Sequence, residues 1–117
     1  MIISPKKRLE KDLVKSIIHG LSLHIPEIIW IDRLQCGMAW RGPYPIHLCR
    51  EGTPDIYALI KANGGHTVFI EAKRPGGGTQ RDAQREFEAI VWGLPHIHYI
   101  LSRDVGSIVE YIREKIL

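Results

Sequence analysis

Gly52-Thr53-Pro54-Asp55-Ile56-Tyr57-Ala58-Leu59-Ile60, carried through Lys61-Ala62-Asn63-Gly64-Gly65-His66 into Thr67-Val68-Phe69-Ile70-Glu71-Ala72-Lys73, reads as a β-hairpin. Two apolar runs of strand length are joined by a short connection that bears glycine, as a hairpin connection should. Side chains alternate along a strand, so Glu71 and Lys73 fall on one face of the second run. Antiparallel pairing then sets Asp55, at the head of the first run, near Glu71 at the same end of the sheet. Two carboxylates and a lysine converging there make the donor set of a divalent-cation site suited to cutting phosphodiesters, because Mg²⁺ and Mn²⁺ are held by one or two carboxylates together with water and phosphate oxygens.

Outward from the hairpin, the chain alternates helical and strand patterns. Leu9, Leu13, Ile17 and Leu21 recur at a spacing of four behind Ser4-Pro5, which predicts an amphipathic helix from near Pro5 to between Gly20 and His24, closed by Pro26. Ile28-Ile29-Trp30-Ile31 is a short β-prone run, with Gly37-Met38-Ala39-Trp40 as its continuation or as half of a second pair. Arg41 to Gly52 contains Gly42, Pro43 and Pro45 and reads as a loop without internal structure. Beyond the hairpin, Arg74-Pro75-Gly76-Gly77-Gly78 cannot extend a strand and reads as a mobile loop beside the site. Thr79 is the expected N-cap of a helix through Gln84, Phe87, Ile90 and Val91, with Gly93 and Pro95 beyond its end. Ile97, Tyr99 and Leu101 alternate as another strand, and Ile108, Tyr111 and Ile112 place a last helix from about Val105 onward. The order is helix, three strand-like runs, helix, strand, helix: a mixed α+β fold, with a small sheet flanked by helices.

A chain of 117 residues holds one real core, so a single domain over 1–117 is expected. The net charge of +3 permits a polyanionic partner without requiring one. Cys36 and Cys49 are too far apart for a C-x-x-C motif and too few for a disulfide scaffold, which fits a reducing interior. The first residues lack the order of a signal peptide, and no apolar run approaches the roughly 20 residues needed to span a bilayer. These features predict a soluble, intracellular protein with no membrane partner.

Pro54-Asp55 followed by Glu71-Ala72-Lys73 matches the PD-(D/E)xK nuclease signature. Gly52-Thr53-Pro54-Asp55-Ile56, Phe69-Ile70-Glu71-Ala72-Lys73 and the helical Gln84 further resemble the VRR-Nuc (virus-type replication-repair nuclease) branch, in which stand-alone domains of about this size occur. That resemblance implies a restriction-endonuclease-like core of helix, three strands, helix and strand, here with an added C-terminal helix. It implies Asp55 and Glu71 as metal ligands, the Ala72 carbonyl as an additional ligand, Lys73 as the catalytic lysine and Gln84 as a site-facing residue. An acidic ligand from the first helix is also implied; Glu10 is best placed, with Asp12 as the alternative. The implied activity is that of a Mg²⁺- or Mn²⁺-dependent DNA endonuclease acting on branched DNA such as four-way junctions. A homodimer suits a substrate with two strands to cut across a two-fold axis, and the branch name suggests viral or phage origin.

Other residues divide between functional and ordinary readings. Lys6, Lys7, Arg8, Arg41, Arg50, Arg74, Arg81 and Arg85 make a broken basic rim for a phosphate backbone or plain solubilising charge. Trp40 and Tyr44 flank a loop and are the candidates for stacking on unpaired bases, whereas Trp30 and Trp92 lie on apolar runs and read as core. Gln84 shares its helix with four charged residues, so a polar surface is the plain alternative. The six histidines lack zinc-site spacing and read as surface or satisfied side chains. Two further functions share the same residues: a nuclease-fold DNA-binding module without catalysis, and a flap, single-strand or RNA nuclease.

Overall fold

A computed structural model describes residues 5–35, 37–74, 76 and 78–117, with side chains from residue 10 onward except that of His47. Pro75, Gly77 and Cys36 lie outside the described residues, and with them the expected mobility of the glycine loop and the redox reading of the cysteine pair. The elements are α1 (Pro5–His24), β1 (Ile28–Arg33), β2 (Met38–Arg41), β3 (Tyr44–His47), β4 (Ile56–Ile60), β5 (His66–Ala72), α2 (Asp82–Val91), β6 (Ile97–Ser102) and α3 (Val105–Lys115). The fold is mixed α+β: a four-stranded sheet in the order β1-β4-β5-β6 with three helices against it, and a separate two-stranded β2-β3 sheet.

Strand direction follows from the connections. The turn at Asn63, Gly64 and Gly65 takes positive φ at all three residues and returns β5 antiparallel to β4. β6 pairs parallel to β5, which a tight turn cannot achieve, and α2 is the crossover between them. Alternation then sorts the two faces. Ile56, Ala58 and Ile60 of β4 and Val68, Ile70 and Ala72 of β5 are buried and point one way. Val14, Ile17 and Leu21 of α1, with Ile108, Ile112 and Ile116 at the other end of the chain, close over most of them to form the core. On the opposite face Phe87 of α2 meets Phe69 edge-on, with ring centres 5.2 Å apart, and lies 5.9 Å from Tyr99. Asp104 caps α3 by accepting the Ser107 N–H at 2.8 Å.

Three expectations are corrected. The stretch from Arg41 to Gly52 is not an unstructured loop, because Tyr44–His47 pairs antiparallel with Met38–Arg41. Gly42-Pro43 makes the turn: Gly42 sits at φ 62°, and since proline cannot take positive φ at the second position, the pair suits a type II′ turn rather than type I′. Pro45 is tolerated because a two-stranded ribbon has a free edge for the missing donor. Trp30 and Trp92 are not core; they are 57% and 85% exposed. Trp30 lies on edge strand β1, on the face that carries Tyr57, and donates from Nε1 to the Tyr57 hydroxyl at 2.8 Å. Finally, the N-cap of α2 is Arg81, not Thr79. An arginine side chain has no acceptor for the orphan N–H groups, and the helix start is instead held by Gln84 Oε1, which accepts the Arg81 N–H at 2.8 Å.

Gly52 joins this helix to the hairpin. It takes φ 90°, and a Cβ there would run into the carbonyl oxygen of Ala83 in the first turn of α2. Gly52→Ala is therefore expected to destabilise the protein by about 2 kcal/mol or more, combining positive-φ strain with a backbone clash, as read by urea unfolding. An unchanged midpoint would show that α2 gives way at no cost.

Candidate active site

Register brings the two carboxylates together. Ile56 pairs with Ile70, so the next step of the ladder sets Asp55 opposite Glu71 at the sheet end. Leu34 N–H donates to the Asp55 carbonyl at 2.7 Å, which carries the β1–β4 pairing one residue further and puts Arg33 at the same end. A cavity of about 610 Å³ opens there, lined by Glu10, Lys11, Val14, Arg33, Asp55, Glu71, Ala72, Lys73, Arg81 and Gln84.

Each side chain at its floor is held by a specific contact. Asp55 Oδ2 accepts the Ala72 N–H at 2.9 Å, which fixes the aspartate across the two strands. Glu71 is 4% exposed, and its Oε1 accepts from Gln84 Nε2 at 2.8 Å and faces Lys73 Nζ at 3.8 Å. Its other oxygen, Oε2, is buried with no hydrogen-bond partner among the described residues. Burial, then the Asp55 charge and a side-chain hydrogen bond to Asp55 that forms only when Glu71 carries a proton to donate, push Glu71 up to about 8, against the opposing pull of Lys73 and Arg81. A buried carboxylate in this state has two remedies, a proton or a cation. Gln84, 1% exposed, does two jobs with one amide: its oxygen closes the start of α2 and its nitrogen orients Glu71.

The donor set fits a hard divalent cation. Asp55, Glu71 and the carbonyl side of the Ala72 peptide are the oxygen donors such an ion prefers, and the unpartnered Oε2 is the atom a cation would satisfy. Among the described residues no three His, Cys, Asp or Glu side chains form a ready-made cage. An open site completed by water and phosphate is what a Mg²⁺-type ion tolerates. Of the two first-helix candidates, Glu10 lines the cavity and Asp12 does not.

The expected basic rim is only partly placed here. Arg81 lines the cavity, whereas Arg50 pairs with Glu86 at 3.5 Å and Arg85 with Asp82, both away from it. Arg74 is half-buried and outside the lining, and the side chains of Lys6, Lys7 and Arg8 lie outside the described residues. Trp40 and Tyr44, 66% and 70% exposed, stand on the β2–β3 hairpin that leaves the sheet just past Arg33. Sequence reading missed Arg33 and Lys11. The signal was present, since pairing Ile28-Ile29-Trp30-Ile31 antiparallel to β4 carries the end of that strand to Asp55. Lys11, Arg33 and Arg81 line the cavity and take part in no close ion pair among the described residues, Arg81 acting on Glu71 only at longer range.

Comparisons with known protein families, curated proteins and solved structures find no match for this chain.

Proposed function

We propose that the protein is a Mg²⁺- or Mn²⁺-dependent nuclease that hydrolyses phosphodiester bonds of DNA at the Asp55–Glu71–Lys73 site. The observation that carries the reading is the buried, unpartnered oxygen of Glu71 beside a second carboxylate and a lysine. The resemblance to PD-(D/E)xK nucleases in Pro54-Asp55 and Glu71-Ala72-Lys73 supports it, as does an element order of helix, sheet strands, helix and strand.

Asp55, Glu71 and the Ala72 carbonyl would hold the cation, with Glu10 reaching in from α1. When bound, such an ion lowers the pKa of water and neutralises charge growing on phosphorus. The rest falls to the chain's own groups. Asp55 is anchored by the Ala72 N–H, and Gln84 keeps Glu71 Oε1 fixed, so the carboxylates need little reorganisation. Lys73 Nζ, held at the wall by its nearly buried stem, orients the attacking water and balances the negative charge of the transition state. Arg33, Arg81 and Lys11 contact the phosphates on either side.

Branched DNA is the proposed substrate, because Trp40 and Tyr44 are exposed on the separate β2–β3 hairpin and offer aromatic faces on which unpaired bases of a branch point would stack. A homodimer cutting two strands across a two-fold axis follows from that substrate. No helix among the described residues is long and apolar enough to cross a membrane, in keeping with an intracellular, DNA-directed role. Purified protein incubated with junction, flap, single-stranded and linear duplex DNA, with and without Mg²⁺ or Mn²⁺, tests the reading. Metal-dependent cleavage of the junction is expected. Binding without cleavage of any substrate would favour a DNA-binding module instead. Arg33→Ala is expected to weaken DNA binding and to lower the slope of log K against log salt by about 1. A slope identical to wild type would remove Arg33 from the contact.

A further inference from the structure

The end of the sheet opposite the cavity gathers three histidines from two strands. Thr67 pairs with Ile97 in the parallel β5–β6 ladder, so His66 and His96 are neighbours just before it, and His98 follows one pair along. The ring centres of His66 and His96 are 4.5 Å apart and those of His66 and His98 5.1 Å. His66 and His96 each have one ring nitrogen engaged, and His98 has both. His96 Nδ1 lies 2.9 Å from the Gly65 carbonyl, which only accepts, so in the neutral ring the proton sits on Nδ1 and the lone pair on Nε2. His66 Nδ1 lies 2.9 Å from His98 Nε2, and His98 Nδ1 lies 2.9 Å from the Tyr111 hydroxyl of α3. When His98 donates from Nδ1 to the tyrosine oxygen, its Nε2 accepts from His66, and His66 too is left with a bare Nε2. Neither His66 Nε2 nor His96 Nε2 has a hydrogen-bond partner among the described residues.

We infer that His66 and His96 form a two-imidazole site for a borderline divalent metal ion such as Zn²⁺, Ni²⁺ or Cu²⁺, with the Gly65 carbonyl fixing the tautomer of His96 and His98, backed by Tyr111, orienting the ring of His66. Imidazole nitrogen suits these ions and not Mg²⁺, so the site is chemically separate from the carboxylate cavity. A ligating histidine typically donates its second N–H to a carbonyl or another acceptor, which orients the ring and raises its basicity. Here the Gly65 carbonyl does this for His96 and His98 does it for His66. His96 is exposed, so an ion reaches the pair from solvent. Water or a donor from a bound molecule completes the coordination, since no third His, Cys, Asp or Glu among the described residues joins the group.

The test is a calorimetric titration of the metal-free protein with ZnCl₂ and, separately, MgCl₂, in wild type, Asp55→Asn, His66→Gln and His96→Gln, paired with histidine side-chain ¹⁵N spectra. Saturable Zn²⁺ binding that survives Asp55→Asn, drops by at least about tenfold in His66→Gln and His96→Gln, and shifts the Nε2 signals of both rings is expected. Mg²⁺ should leave those signals in place. Zn²⁺ affinity unchanged in both histidine variants, or no saturable binding at millimolar Zn²⁺, would overturn the site. Neither result bears on the nuclease reading, which is tested separately by cleavage in wild type, Asp55→Asn and Lys73→Ala.

Discussion

Lys73→Ala is expected to cut Mg²⁺-dependent cleavage by about 10²-fold to 10³-fold while leaving the protein folded and DNA affinity nearly unchanged. The lysine sits 3.8 Å from Glu71 Oε1 at the cavity wall, too buried to be a free phosphate anchor and too close to the carboxylates to be surface charge. It is also one of the two cations that pull the Glu71 pKa down. Its removal therefore weakens cation binding as well as chemistry, and part of the lost rate should return at higher metal concentration. Asp55→Asn separates the two effects. Asparagine keeps an oxygen for the Ala72 N–H and so keeps the strand contact, but it loses the charge that a divalent cation needs. Both variants should unfold at close to the wild-type temperature, with Lys73→Ala keeping the slow residual cleavage that extra metal partly restores and Asp55→Asn showing none. Wild-type turnover in either variant would move the chemistry elsewhere in the molecule.

The hairpin and its carboxylates were legible because everything that fixes them is local. A glycine turn sets the register, period two sets the face, and Asp55 and Glu71 follow from counting. The β2–β3 ribbon was not, because Gly42 and Pro43 are each read as breakers. Only as an ordered pair do they specify a type II′ turn. Trp30 and Trp92 misled for a different reason. Apolar neighbours in sequence predict a buried residue only when a second layer covers that face. α2 lies over Phe69 and Tyr99 rather than over β1, and Trp92 falls at its C-cap. Arg33 and the histidine group depend on pairings between distant segments. No local pattern announces that the residue before β6 will stand beside the first residue of β5. Gln84 shows the limit most clearly: its spacing marks one helix face, but its two roles, closing α2 and orienting Glu71, need the helix start and the strand end in one place.

The second large effect concerns stability, and it needs no substrate. Glu71 stands at about 8 in the folded chain against an ordinary value of 4.5, so between those pH values the folded state holds a proton that the unfolded state has lost. Metal-free stability from this group is complete below about 4.5, declines as pH rises, and is gone above about 8, a change on the order of a few kcal/mol at about 1.4 kcal/mol per unit. Glu71→Gln removes the titration and keeps an acceptor for Gln84, so at pH 9 in EDTA the variant should be more stable than wild type by on the order of a few kcal/mol, although it should not cleave. His98, held low by burial, contributes the opposite trend, with stability rising as pH climbs toward the ordinary histidine value. The difference between wild type and Glu71→Gln, measured by urea unfolding from pH 4 to pH 9, is therefore the quantity to follow. Millimolar Mg²⁺ should raise wild-type stability most at the alkaline end, where the carboxylate is ionised and uncompensated, and should do little for Glu71→Gln. If the variant is the less stable of the two at pH 9, or if Mg²⁺ stabilises both equally, Glu71 is a satisfied structural acid and the cation belongs elsewhere.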